Sequence, residues 1–402
     1  MMYTNRQLFL KYLGQTSPSP LLLEVVKAEG VFMFGPSGEK YLDLISGVNV
    51  SNTGHRHPKV VNAIREQLDD YMHLMVYGEM IQSPQVKYAE LLAKHLPPSL
   101  SSTYFVNSGS EAVEGALKLA RRFTGRGKIV SFRNAYHGST IGALSIQGSE
   151  DYKTAFRPLL PDIWLAGFND PDSLDIIDSN TACAIIEPIQ GEGGIITPRD
   201  GFLEILRKKC SDEGTLLIFD EIQTGFGRTG HMFATGRYGV VPDIIVLAKA
   251  LGGGMPLGAF ISSPEIMTTL ISNPVLGHIT TFGGHPVCCA AGMASMQVIM
   301  EEGLMDNCMQ RSRQFMNELK HDLISEIRGE GLMLAVNLGN PAFVRYAVQK
   351  APEYGLVLDY FLFCDSAFRI APPLTIAADE VSLACRLIKD LLDDTRKNVT
   401  AL

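Results

Sequence analysis

Two side chains stand where apolar runs end. Asp220 closes TLLIFD, and Lys249 closes DIIVLAK just ahead of Gly252, Gly253 and Gly254. Both runs read as buried strands, and open α/β sheets bind ligands beyond the carboxyl ends of their strands, so both side chains are expected in one crevice. A lysine desolvated beside an apolar sheet loses basicity and becomes a nucleophile toward carbonyl carbon. A carboxylate buried there needs a cationic partner. The same pair would also make a structural ion pair at the sheet edge, and residue types alone leave the two readings level.

Two glycine-containing turns are further candidates. Asn107-Ser108-Gly109-Ser110-Glu111 joins the strand-like STYFVN to an amphipathic stretch, which places backbone N–H groups and hydroxyls at the positive end of a helix. That suits either a phosphate or plain capping by Ser108 or Ser110 with a nearby Glu. Gly225-Phe226-Gly227-Arg228-Thr229-Gly230 matches a dinucleotide fingerprint, but Asp220 and Glu221 precede it where a pyrophosphate would approach, and HMFATGRYG follows where a helix should begin. The nucleotide reading is therefore set aside. His55, His57, His137 and His285 show no metal-ligand spacing, so no metal site is expected; they are expected to cap or pack, with His137 an exception only through its neighbours. Tyr136, before His137 and after KIVSF, places an aromatic ring where it can lie on a planar ligand.

Alternating elements must position these groups. From about 100 to 290 the strands STYFVN, GKIVSF, TACAIIEP, TLLIFD, DIIVLAK and GAFISS are separated by helical stretches. One of these carries Val113, Ala116, Leu117 and Ala120 on a single face, and another ends at Gly214. Apolar strands separated by helices imply an α/β domain with a mostly parallel sheet covered on both faces. The expected organisation is a segment 1–50, including a hairpin around Gly35 to Gly38, that packs with a smaller C-terminal α+β domain at 291–402, and a large domain at 51–290.

Composition narrows the partners. Lys plus Arg number 35 against 43 for Asp plus Glu, a net charge of −8 that repels a phosphate backbone, so no nucleic acid is expected. The 7 cysteines are odd in number and lack CxxC spacing, which fits reduced thiols. No apolar run approaches the roughly 18 residues of a membrane span, and the charged opening segment has no cleavage site of a secretory leader, so a soluble, cytoplasmic protein is expected.

NSGSEAVEGALKLAR, AYHG, IIEPIQGEGGI, LLIFDEIQTGFGRTG, PDIIVLAKALGGGMPLGA, TTFGGHPVCCA and FRIAPPL occur in the order and spacing of class III (ω-amino acid) pyridoxal-phosphate aminotransferases. Over nearly its whole length the chain most resembles the acetylornithine, ornithine and 4-aminobutyrate group. The resemblance implies the type I aminotransferase fold, pyridoxal 5'-phosphate as cofactor, and a homodimer with active sites at the subunit boundary. It implies that Lys249 holds the cofactor covalently and moves the proton, and that Asp220 keeps the pyridine nitrogen protonated so that the ring accepts electrons. Gln223 would lie near the ring hydroxyl, Tyr136 and Ile222 on the two ring faces, and Gly109 and Ser110 in the phosphate cup. Thr281 would reach a phosphate in the neighbouring subunit. Glu187 and Glu192 would border the pocket, with Arg369 binding a substrate α-carboxylate and Glu192 pairing with that arginine when an ω-amine enters.

Ser139 departs from the pattern, because close relatives commonly carry an arginine there for the substrate's second carboxylate. A charge-assisted contact of that kind is worth about 1.5–3 kcal/mol, and a hydroxyl does not replace it. His285, where relatives usually have asparagine, is a smaller departure. The expected reaction is a ping-pong transfer from an acetylornithine- or ornithine-type donor to an oxo acid such as 2-oxoglutarate. The alternatives are a 4-aminobutyrate or other ω-amine transaminase using pyruvate or 2-oxoglutarate, and a cofactor-dependent aminomutase or epimerase of the same fold.

Overall fold

The apolar runs between 100 and 290 assemble into one seven-stranded sheet. In the computed structural model its order is Ser102–Val106, Gly258–Ser262, Ile244–Leu247, Leu216–Asp220, Thr181–Ile186, Lys128–Phe132 and Ile163–Ala166. Only Gly258–Ser262 runs antiparallel to its neighbours. The architecture is therefore α/β with a mostly parallel large sheet, as expected. Residues 3–76 and 78–399 are described. Positions 1–2 and 400–402, at the ends of the expected terminal segments, lie outside the described residues, as does Tyr77.

Alternation along each strand explains why both faces are apolar. Leu216 and Ile218 join a cluster with Val113, Ala116 and Leu117 from the helix Gly109–Thr124, whereas Leu217 and Phe219 join Phe202 and Leu206 from the helix Phe202–Glu213. Each such side chain contributes about 1.5–3 kcal/mol on burial. The helix Gly109–Thr124 starts at its cap Ser108, whose Oγ accepts from Glu111 N, and ends at Gly125, whose φ of 69° suits glycine.

Two smaller sheets complete the chain. Glu326–Glu330, Met333–Asn337, Ala367–Ile370 and Asp359–Tyr360 form an antiparallel sheet. Lys27–Glu29, Phe32–Phe34 and Lys40–Asp43 form the other, joined by Leu356–Val357, which pairs in parallel with Lys40–Asp43. The N-terminal hairpin is thus hydrogen-bonded to the C-terminal part of the chain.

The fingerprint-like hexamer serves this junction. Arg228 is fully buried and donates to the carbonyls of Leu332 and Pro372 from Nη1, and to Ser46 Oγ and Asn52 Oδ1 from Nη2. Leu332 N returns a bond to Arg228 O, and Asn52 Nδ2 donates to Phe226 O. The motif ties three parts of the chain together. No helix among the described residues is long and apolar enough to cross a membrane.

Candidate functional site

Parity along the strands decides which groups face the cleft. Asp220 follows Ile218 on the face that packs against the helix Gly109–Thr124, so its carboxylate emerges beside that helix's N-terminus. Lys249 lies two residues past Ile244–Leu247, in a turn where its φ is 53° and where Gly253 and Gly254 also have positive φ. A lysine in the left-handed region is strained, a conformation that persists only where the surrounding structure imposes it, and here the turn delivers Lys249 to the cleft. The result is a cavity of about 390 Å³ lined by Gly109, Ser110, Tyr136, Glu187, Asp220, Ile222, Gln223 and Lys249, together with His137 and Gly138. Eight of the residues expected at the site from sequence therefore share one cavity.

Its glycines are required by close approach. A Cβ at Gly109 would come within 2.8 Å of Ile222 Cδ1, and one at Gly138, where φ is 128°, would collide with Ser110 Oγ. Ser110 does not cap the helix, a role that falls to Ser108. Its Oγ instead accepts from Ser139 N at 3.2 Å.

The buried charges are coupled. Asp220 Oδ2 lies 2.7 Å from His137 Nδ1, and Oδ1 accepts from Ile222 N. Burial lowers the His137 pKa, but the hydrogen bond and charge of Asp220, with Glu187 beyond, outweigh it and leave the imidazole above its ordinary value. This decides what residue types left level: the ion partner of Asp220 is His137 and not Lys249, and His137, singled out in the sequence only through its neighbours, itself lines the cavity. Lys249 forms no ion pair or hydrogen bond among the described residues. Burial brings its ammonium down to about 8, against the opposing pull of Glu192. Glu187 accepts from Tyr136 N and Gly191 N, and burial pushes its carboxyl up to about 7 although His137 draws it down.

Behind the cavity wall, Gln223 Nε2 donates to Glu192 Oε1 at 3.2 Å, and Arg369 Nη2 lies 2.9 and 2.8 Å from the two oxygens of Glu192. Both ends of this ion pair are nearly inaccessible to solvent. The pKa of Glu192 falls below the usual range because Arg369 outweighs the cost of burial. Both oxygens of Glu192 thus occupy Nη2 of Arg369.

Ser139 is exposed, with Oγ 3.1 Å from Tyr136 OH. Thr281 is exposed outside the cavity, and its carbonyl lies 2.9 Å from His73 Nε2. Sequence reasoning missed the His137 contact, although His137 directly follows Tyr136 and so could have been sought on the same loop. It also missed Val50, which lines the cavity from far away in sequence with no local signal. Among the described residues no cluster of three or more His, Cys, Asp or Glu could hold a metal.

Chemically, the cavity offers an amine of lowered basicity, a carboxylate–imidazole pair, the Tyr136 and Ile222 side chains in its lining, and a helix N-terminus suited to an anion. Comparison with known proteins agrees in kind. The family described as aminotransferase class-III matches residues 14–392. The acetylornithine aminotransferase of Methanopyrus kandleri is 38% identical over 393 residues, spanning 96% of this chain and 98% of its own. Among solved structures, the ornithine aminotransferase of Toxoplasma gondii ME49 superposes with a TM-score of 0.90 at 29% identity, covering 98% of this chain and 96% of that one. An amine transaminase from an uncultivated Pseudomonas species, solved in its PLP-bound form, gives 0.87 at 28% identity, covering 96% and 98%.

Proposed function

The chain belongs to the class-III aminotransferase family, and from that premise we propose that it transfers the amino group of an acetylornithine- or ornithine-type donor to an oxo acid. Members of the family are pyridoxal-phosphate-dependent transaminases, and the residues present suit that cofactor. His137 Nε2 and Gln223 Oε1 are buried without a hydrogen-bond partner, and the glycine cradle at Gly109 and Gly138 leaves room that a Cβ would fill. The observation that carries the reading is the convergence of Lys249, Asp220 and the helix N-terminus on one cavity.

When bound, pyridoxal phosphate supplies a carbonyl that takes up the amino group and a ring that draws electrons from a neighbouring carbon. Lys249 Nζ would hold it covalently and carry a proton to and from substrate carbon, a task suited to an amine with a pKa near 8. Asp220, oriented by His137, would face the pyridine nitrogen with negative charge. Gly109 and Ser110 would receive the phosphate at the helix N-terminus, Tyr136 and Ile222 would hold the ring faces, and Gln223 would stand at the ring hydroxyl. Arg369 would take the substrate α-carboxylate after Glu192 yields, with Glu187 and Ser139 bordering the substrate. Residues 51–290 would form the cofactor-binding unit, and 1–50 would pack with 291–402.

A homodimer accompanies this reading, with Thr281 reaching the neighbouring subunit's phosphate. It is supported by exposed Met72, Leu74, Ile279 and Phe282 around the His73–Thr281 contact, an apolar surface suited to burial by a second copy. A fully active monomer in sedimentation would contradict it. All 7 cysteines are unpaired thiols, which supports a cytoplasmic location.

The decisive experiment is a panel of acetylornithine, ornithine and 4-aminobutyrate against 2-oxoglutarate and pyruvate, with Lys249→Ala as the blank. Turnover of acetylornithine or ornithine only when an oxo acid is present supports the proposal. Conversion without an oxo acid would point to the isomerase reaction instead.

A further inference from the structure

Arg369 faces two carboxylates, not one. Besides Glu192, Asp359 Oδ2 lies 3.5 Å from Arg369 Nε. Asp359 sits directly opposite Arg369 in the antiparallel pairing of Asp359–Tyr360 with Ala367–Ile370, so the sheet itself sets their separation. Its Oδ1 is fixed further by Tyr360 N at 3.0 Å. Nε is buried and makes no hydrogen bond among the described residues, so the hold of Asp359 on it is charge at short range. Burial pushes the Asp359 carboxyl above its usual pKa, Arg369 draws it back, and Glu192 pushes it up again, so the two carboxylates repel each other.

We propose that Asp359 is a specificity-determining residue, a fixed negative charge at the Arg369 end of the pocket that weakens the grip on an oxo-acid carboxylate. The inference rests on the reading of Arg369 as the carboxylate receiver. Before substrate arrives, Glu192 and Asp359 share one guanidinium. An incoming carboxylate takes Nη2 from Glu192, yet the Glu192 carboxylate stays close because its Oε2 accepts from Leu362 N and its Oε1 from Gln223 Nε2, each at 3.2 Å. Three carboxylates then surround one cation. Asp359 is held opposite Arg369 by the strand register and by the Tyr360 N–H on its Oδ1, so its repulsion falls on the carboxylate-bound state. A donor presenting its ω-amine leaves the Arg369–Glu192 pair in place and does not meet this penalty.

Asp359→Asn removes the charge and keeps the shape. The KM for 2-oxoglutarate and for pyruvate should fall about three- to tenfold, and calorimetric affinity for glutarate, an unreactive dicarboxylate, should rise by the same factor. The KM for the ω-amine donor should stay within about twofold, and Asp359→Glu should restore acceptor values toward wild type. A damaged pocket does not gain affinity, so tighter glutarate binding separates this role from a structural one. If Asp359→Asn fails to fold, Asp359→Ser is measured the same way. Unchanged or weakened acceptor binding in the variant that folds overturns the inference. Arg369→Ala, run alongside, tests the underlying reading separately, since unchanged acceptor KM there would remove Arg369 itself from substrate binding.

Discussion

Ser139 follows the cavity-lining Gly138 without lining the cavity itself, and on the proposed reading it is the position that would meet an acceptor's second carboxylate. Its hydroxyl contacts Tyr136 OH, and its N–H is held by Ser110 Oγ, so the position is ordered by these two residues while presenting no charge. Arg133, the nearest arginine in sequence, is exposed and does not line the cavity. A second carboxylate on the acceptor therefore gains little, and the wild-type protein should show a small preference for 2-oxoglutarate over pyruvate in kcat/KM. Ser139→Arg should raise that ratio about tenfold or more in steady-state assays. Strong 2-oxoglutarate selectivity in the wild type, undiminished by changing Arg133, would show that the cation comes from elsewhere. The neighbouring His137 was legible only as a residue type. Its bond to Asp220 joins positions 83 apart in sequence, a relation no local pattern encodes.

Elements meet at Glu221, one residue beyond Asp220. Its carboxyl accepts from Ala234 N at 2.6 Å and Thr235 N at 2.9 Å, capping the helix Ala234–Tyr238, and from Thr224 Oγ1 at 3.1 Å. It thereby anchors that helix to the end of the strand bearing Asp220. Burial raises its pKa to about 7, the hydrogen bonds only partly offsetting this. The folded protein then holds the proton more tightly than the unfolded chain, so this group's contribution is full below the unfolded carboxyl value and is lost as pH rises through about 7. Glu221→Gln does not titrate. Relative to wild type, the variant should gain of order 2 kcal/mol between pH 5 and pH 8, read as the difference in denaturant-unfolding free energies at the two values. A pH-independent difference would refute the assignment. The strands and helices around it were readable because apolar periodicity and caps are local, whereas the carboxyl's service to a helix 13 residues on was not.

Across the whole molecule, Arg228 binds the N-terminal segment, the large-sheet loop and the C-terminal part into one body. Burial lowers its pKa to about 10, with Cys308 and Asp43 acting against the shift, and its four hydrogen bonds satisfy carbonyls and side chains that have no access to water. Arg228→Met should cost about 3–5 kcal/mol in equilibrium unfolding, because those acceptors would be left buried and unpaired, with Arg228→Lys intermediate. A loss under about 1 kcal/mol would mean that water or neighbouring groups replace the guanidinium. Because the strand containing Arg369 ends one residue before Ala371, whose N–H bonds Leu44 O, the same junction sets where Arg369 and its partner Glu192 stand.

The sequence by itself determined the α/β class, the strands that end at Asp220 and Lys249, the helix N-terminus at Gly109 and the family resemblance, since each depends on residues close together in the chain. It left open whether Asp220 pairs with Lys249, and it read Gly225 to Gly230 only as a rejected nucleotide motif. The tertiary structure decided those matters. It gave Asp220 to His137, turned the hexamer's arginine into an internal junction, closed Arg369 behind Glu192 and set Asp359 across from it. Buried charge is satisfied by whatever partner the fold brings within about 3 Å, and that proximity is a property of the packed chain, not of its local order.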